Sequence, residues 1–236
     1  MDIAQSVKMD DLPADTVGAS THNLNGQKLG RKGRETRDRI IGAAQKLLSD
    51  PEAAPLTLSA VAREVSLGMT SLYNYYSDLT ELLLALLEPV MAEAELAYIV
   101  KLRTPWPDTT LNKQCLDYVE AFYAFWARNA RLLHLRNSLA DSRDDRMARH
   151  RVMAASPVIG LFVEQMGKDP AILRSKAFGM ATVLYTGIER VVTVATDANM
   201  QSLLQNNFLQ NIEHYLHSEA RLLELGIRDY RGTASS

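Results

Sequence analysis

Residues Met69 to Tyr76 hold the most distinctive side chains in this sequence. Met69, Thr70, Ser71, Tyr73, Asn74 and Tyr75 place hydroxyl, amide and phenol groups where a solvated helix face ordinarily carries Lys and Glu. Ser and Thr hydroxyls bond base edges or phosphate oxygens, an Asn amide pairs bidentately with adenine, and a Tyr hydroxyl donates to phosphate. Leu72 and Tyr76, four apart, fall on the opposite face as inward anchors. Upstream, Lys28, Arg31, Lys32, Arg34, Arg37 and Arg39 meet only Glu35 and Asp38, which concentrates positive charge in a chain whose formal net charge is −2. This chemistry is recognition of a polyanion rather than bond breaking.

Those groups need elements to position them. From Thr36 onward, apolar residues recur at three- and four-residue steps and strand-like alternation is nearly absent, so an all-α chain of about nine helices is expected. Arg34 to Leu48 forms a first helix with a stripe of Ile40, Ile41, Ala44, Leu47 and Leu48, stopped by Asp50 and Pro51. A second helix, Leu58 to Val65, is too short to stand alone and must bury one face. A break at Ser66, Leu67 and Gly68 leads to a third, Thr70 to Tyr75. Asp78 and Glu81 resemble an N-cap and its N3 partner opening a fourth, which runs to about Lys101 along a seam of Leu82, Leu83, Leu86, Leu87, Val90, Met91 and Ala94. Further helices are expected at 109–128, 130–139, 143–166, 170–196 and 202–225. Residues 1–33 read as a flexible basic-ended extension, 34–77 as a helix-turn-helix domain, 78–228 as a helical body, and 229–236 as a flexible tail.

Composition narrows the function classes. Of 236 residues, 47% are hydrophobic and 23% charged, which excludes a wholly disordered chain or a coiled-coil rod. The lone Cys115 cannot form an internal disulfide and suits a reducing cytoplasm. No apolar run reaches the roughly 18 residues that span a bilayer. HExxH, GxSxG and a strand-linked GxGxxG are absent from the sequence, which weighs against an enzyme. Glu213, His214 and His217 have spacing for a metal but sit on a helix with a better structural explanation, and neither a metal nor a cofactor is expected. Asp141, Asp144 and Asp145 among Arg143, Arg146 and Arg149 read as a charged helix start.

The run Thr36, Ile40, Ala43, Ala44, Leu56-Thr57-Leu58, Val61-Ala62, Ser71 to Tyr76 and Leu82 resembles the TetR family of bacterial transcription regulators over about residues 34–90. Three positions depart from the family pattern. Ser66 stands where a turn Gly is usual, a place that can demand positive φ. Leu79 replaces a common phosphate-contacting Lys, and Tyr76 replaces Phe.

The resemblance implies a DNA-binding head whose third helix lies in the major groove, with Arg34, Arg37, Thr57, Ser59, Met69, Thr70, Ser71, Tyr73, Asn74 and Tyr75 as contacts. It implies a ligand-responsive repressor that binds a palindromic double-stranded DNA operator as a homodimer through its last two long helices. Stripes of Ile172, Leu173, Met180, Leu184, Ile188 and Val191, then Leu204, Phe208, Ile212, Tyr215, Leu216 and Leu223, are compatible with that interface, and Gly179 and Gly187 would allow close approach. It also implies a small-molecule effector site in the body. Tyr118, Phe122, Trp126, Met153, Phe162, Met166, Met180 and Tyr185 suggest an apolar one, with His134, Arg136 and Arg190 as polar anchors. Two other readings of the same residues are a helical protein–protein adaptor, and a diverged relative that binds ligand but has lost DNA binding.

Overall fold

A computed structural model describes residues 30–50, 55–203 and 211–232, and these are all-α: ten α-helices and one 3₁₀ turn, with no strand among them. Three short segments make the head. α1 (Arg31–Ser49) buries Ile40, Ala43 and Ala44 and begins three residues sooner than the apolar pattern indicates. Residues 1–29 of the expected extension lie outside the described residues, as do 233–236 of the expected tail. α2 (Leu58–Glu64) is opened by Thr57, whose hydroxyl accepts from the Ala60 amide at 3.1 Å. α3 (Met69–Tyr73) buries only Leu72.

The body begins at α4 (Leu79–Ala97). Asp78 caps it, accepting from the Glu81 amide at 2.8 Å, while the Glu81 carboxylate reaches back past the cap to the Ser77 amide at 2.6 Å. The helix ends at Ala97 rather than near Lys101. Tyr98 leaves helical geometry at φ −143°, and the 3₁₀ turn Ile99–Leu102 follows, which puts Tyr98, Ile99 and Leu102 all into the core. α5 (Leu111–Arg128), α6 (Ala130–Asp141), α7 (Asp145–Gln165), α8 (Lys176–Thr196), α9 (Ala198–Leu203) and α10 (Ile212–Gly232) complete the fold. α8 starts after Ser175, whose hydroxyl accepts from the Phe178 amide, so the expected start at Pro170 is displaced by a stretch of turns.

Three helices end in the same way. After α2, Leu67 N–H donates to Ala62 C=O and Ser66 N–H to Arg63 C=O; after α6, Asp144 donates to Leu139 and Arg143 to Ala140; after α7, Lys168 donates to Val163 and Gly167 to Glu164. These are Schellman pairs, and each needs a left-handed residue between helix and exit. Ser66 (φ 54°), Arg143 (φ 67°) and Gly167 (φ 68°) fill it, only the last without a Cβ penalty. Arg143 is therefore the corner before α7 rather than its first residue.

Aromatic rings form the centre of the body. Tyr98 meets Phe122 edge-on at 4.9 Å and Phe125 at 5.2 Å, and Tyr118 meets Phe162 at 5.3 Å. α10 crosses α8 closely at two glycines: a Cβ on Gly226 would lie 2.7 Å from Leu184, and one on Gly187 would lie 3.2 Å from Glu219. Gly187 thus serves packing within the chain, and Gly179 is exposed with nothing within 4 Å. The end of α10 is held rather than loose. Arg231 donates to Gln165 C=O at 2.7 Å and Trp106 C=O at 2.9 Å and pairs with Asp108, so residues 229–232 remain helical where a free tail was expected.

Polar clasps join head to body. The Arg131 guanidinium of α6 donates to the C-terminal carbonyls of α1, at Leu47 (3.1 Å), Leu48 (3.4 Å) and Asp50, where the negative end of the helix dipole favours a cation. Within the body, the start of α4 is tied to the start of α7: the buried Thr80 hydroxyl donates to Asp144 at 2.6 Å and Arg146 donates to Asp78 at 2.8 Å. The Thr80 hydrogen bond is the main reason the Asp144 carboxyl titrates below its ordinary range.

Candidate nucleic-acid interface

α3 is too short to persist alone, so neighbouring elements set its orientation. Leu72 is fully buried and Tyr76 nearly so, which fixes one side of the segment against the head. Thr70, Ser71, Tyr73 and Asn74 then face outward, Tyr73 at 48% exposure, with Met69 and Tyr75 half-buried at the margins. Among the described residues the side chains of Thr70, Ser71, Tyr73 and Asn74 make no hydrogen bond, so their donors and acceptors remain available to a partner.

Thr57 and Ser59 are also exposed at the opening of α2. Their hydroxyls are 3.1 Å apart, and the lone pair that Thr57 gives to the helix cap leaves its proton free to donate. On α1, Arg34 is exposed and Arg37 half-buried. The neighbouring Arg39 is committed to structure: it donates to Val65 C=O at 2.7 Å, closing the end of α2. Lys46 is likewise bound to Glu64 of α2 at 2.6 Å, and that hydrogen bond raises the lysine's pKa. Sequence reasoning treats the basic run as uniform; the structure divides it into cations that bind the head together and others that face away.

The departures at Ser66, Tyr76 and Leu79 each have a structural consequence. Ser66 adopts the left-handed conformation that the turn requires. The Tyr76 hydroxyl is buried with no hydrogen-bond partner among the described residues, and burial pushes its pKa up to about 12. Leu79 packs half-buried against the core as the first residue of α4.

The aromatic set named for the body does come together. Tyr118, Phe122, Trp126, Phe162 and Met166 are buried, and Tyr185 stands 6.0 Å from Phe122. They fill the core as mutual neighbours. Met180 is half-buried, and Met153 is 64% exposed on α7, apart from that cluster. His134 instead lines a groove of about 600 Å³ between α6, α8 and α9. It bonds Thr196 at 3.0 Å, and since the Thr196 hydroxyl donates to Val192 C=O, the imidazole is the donor; burial lowers its pKa.

Arg136 is buried above Trp126, 5.5 Å from the ring centroid, and lies 3.6 Å from the buried Glu189. The signal for Glu189 was a charge on the same face of α8 as Tyr185 and Val192, both buried. A second cavity, of about 540 Å³, lies at the seam of α1, α4, α5 and α6.

Of the expected interface residues, Leu204 and Phe208 lie outside the described residues. Leu184, Ile188, Leu216 and Leu223 are buried within the chain, whereas Ile172, Leu173 and Tyr215 are exposed together with Val183, Leu222 and Leu225. No described helix is long and apolar enough to cross a membrane.

No family model and no curated protein matches the chain. Among solved structures, a TetR-like transcriptional regulator from Rhodococcus sp. RHA1 is similar to it, with 18% identity, a TM-score of 0.47, and coverage of 89% of this chain and 100% of that one.

Proposed function

We propose that this chain is a DNA-binding transcription regulator, a homodimeric repressor whose α3 enters the major groove of a palindromic operator and whose body answers to a small effector. The observation that carries the reading is the division of α3: Leu72 and Tyr76 buried, and Thr70, Ser71, Tyr73 and Asn74 exposed with unspent hydrogen-bonding groups. Base edges take the Ser, Thr and Asn groups, phosphates take Tyr73, Thr57, Ser59, Arg34 and Arg37, and Met69 and Tyr75 close the edges of the contact.

Exposed apolar side chains on the last long helices support pairing of two chains. Val183 on α8 and Tyr215, Leu222 and Leu225 on α10 are 41–67% exposed, a concentration that favours burial against a symmetric copy. The clasp at Arg131 gives the body a mechanical hold on the head, and an effector changes DNA affinity only if it binds one arrangement of that hold better than another.

The deciding experiment is selection of genomic fragments on the purified full-length protein, followed by footprinting. The expected result is a palindrome with half-sites one or more duplex turns apart, bound by a particle of two 26.3 kDa chains, with affinity falling steeply as salt rises. Retention of no sequence-specific fragment at low salt would overturn the reading and favour an adaptor or a pure ligand binder.

A further inference from the structure

The groove between α6, α8 and α9 has a volume suited to a small organic molecule. Its charges fall into two groups. Arg136, Glu189, Arg151 and Asp141 form one continuous chain, with Arg136 to Glu189 at 3.6 Å, Glu189 to Arg151 at 3.2 Å and Arg151 to Asp141 at 3.2 Å. Two cations and two carboxylates there pair in charge and tie α6, α7 and α8 together, while the buried Glu189 Oε1 accepts no hydrogen bond among the described residues.

Arg190 and Asp197 remain. Both line the groove, and among the described residues neither forms an ion pair. Asp197 accepts the Asn199 and Met200 amides on Oδ1, at 2.8 and 3.2 Å, so Oδ2 is left over. Arg190 is exposed and its guanidinium makes no hydrogen bond among the described residues. Asp197 follows the end of α8 and lies seven residues after Arg190, an axial distance on the order of 10 Å. Thr193 lies between them in the lining; its proton goes to Arg190 C=O at 2.9 Å, so toward a ligand its oxygen only accepts.

A free cation, an acceptor and a free carboxylate in line complement a molecule with the reverse order of charge. We propose that this groove binds a zwitterion whose acid end pairs with Arg190, whose ammonium end pairs with Asp197, and whose central N–H or O–H groups face Thr193. At about 3.5 Å per residue, a tripeptide spans the separation of the two backbone positions. Ligand binding here needs no DNA, so its failure and that of the DNA reading are separate. A ligand held here presses on α6, the helix whose other end holds the α1 carbonyls through Arg131.

The test is calorimetric titration of the full chain, without DNA, using triglycine, N-acetyl-triglycine, triglycine amide and hexanoate. Triglycine is expected to saturate one site per chain, and loss of either terminal charge to weaken binding about tenfold, the scale of one charge-assisted contact. In Arg190→Gln, an exposed position whose change leaves helicity intact, triglycine and its amide should bind alike. In Asp197→Asn, triglycine and its acetyl form should bind alike. No saturable heat with triglycine at about 10 mM, the weak end of specific affinity, overturns the proposal. So does undiminished affinity in Arg190→Gln, or hexanoate binding as tightly as triglycine.

Discussion

Between residues 31 and 76 the fully buried side chains are mostly small or aliphatic, with Ile40, Ala44, Val61, Ala62 and Leu72 at the centre, whereas the body closes around Tyr98, Trp106, Tyr118, Phe122, Phe125, Trp126 and Phe162. Aromatic side chains each remove 150–250 Å² from water, so the body supports itself through apolar area. The head has little such area and relies on directional polar contacts: Thr57 capping α2, Arg39 closing its end, and Arg131 closing α1. Short helices held in this way leave one side of α3 free of packing duties. The difference teaches that the head is a presentation device, stabilised from behind so that its front can stay polar.

If that contrast is right, Phe122→Ala in the body should cost about 3–5 kcal/mol in denaturant unfolding, the range for a large aromatic removed from a packed core; under 1 kcal/mol would mean the body is already loosely packed. Thr57→Ala should cost about 1 kcal/mol through the lost cap, and an unchanged unfolding midpoint would show that the head does not depend on its polar contacts.

Tyr73→Phe sharpens the contrast from the other direction. It should weaken operator binding by about 1 kcal/mol, the net scale of one hydrogen bond, and leave stability untouched. Equal affinity in a gel-shift titration removes Tyr73 from the contact surface. Ser66→Gly should stabilise by about 0.5–1 kcal/mol by relieving the left-handed Ser, the strain being partly offset by glycine's greater freedom when unfolded.

A separate test is a pH dependence in the body. Burial, then the nearby Arg136 charge, lowers the His150 pKa to about 4, and its Nδ1 has no hydrogen-bond partner among the described residues. The unfolded chain therefore takes up this proton before the folded one does. Stability from a neutral His150 is present above about pH 6.5, the unfolded value, and declines as pH falls from there toward 4. Unfolding midpoints across that window should flatten in His150→Leu, and an identical slope would assign the dependence to other groups.

Much of this was legible from local pattern. The three-helix head follows from short apolar periods interrupted at Ser66-Leu67-Gly68, whereas the positive φ at Ser66 was signalled only by the family resemblance, which places a turn Gly there. Asp78 as the cap of α4 is a short-range matter of one carboxylate and an amide three residues on. Even here the pattern erred by a turn: α4 stops at Ala97 because Tyr98 is worth more inside the aromatic core than continuing the helix.

Periodicity shows which face of a helix is inward and not what it will meet. That is why Met153, apolar by type and expected to line an effector site, lies exposed, and why Glu189, charged by type, lies buried. The partners that decide such cases are remote in sequence: Arg136 to Glu189, Thr80 to Asp144, Arg231 to Gln165 and Trp106. Composition and spacing on their own determined an all-helical chain, a three-helix head with an anchored and a polar side to α3, and the cap of α4 at Asp78, because those depend on forces acting within a few residues. Tertiary structure alone decided which cations hold the head and which face out, how α10 is pinned, and where the groove lies, because burial and pairing of charge depend on helices that meet only after the chain has folded.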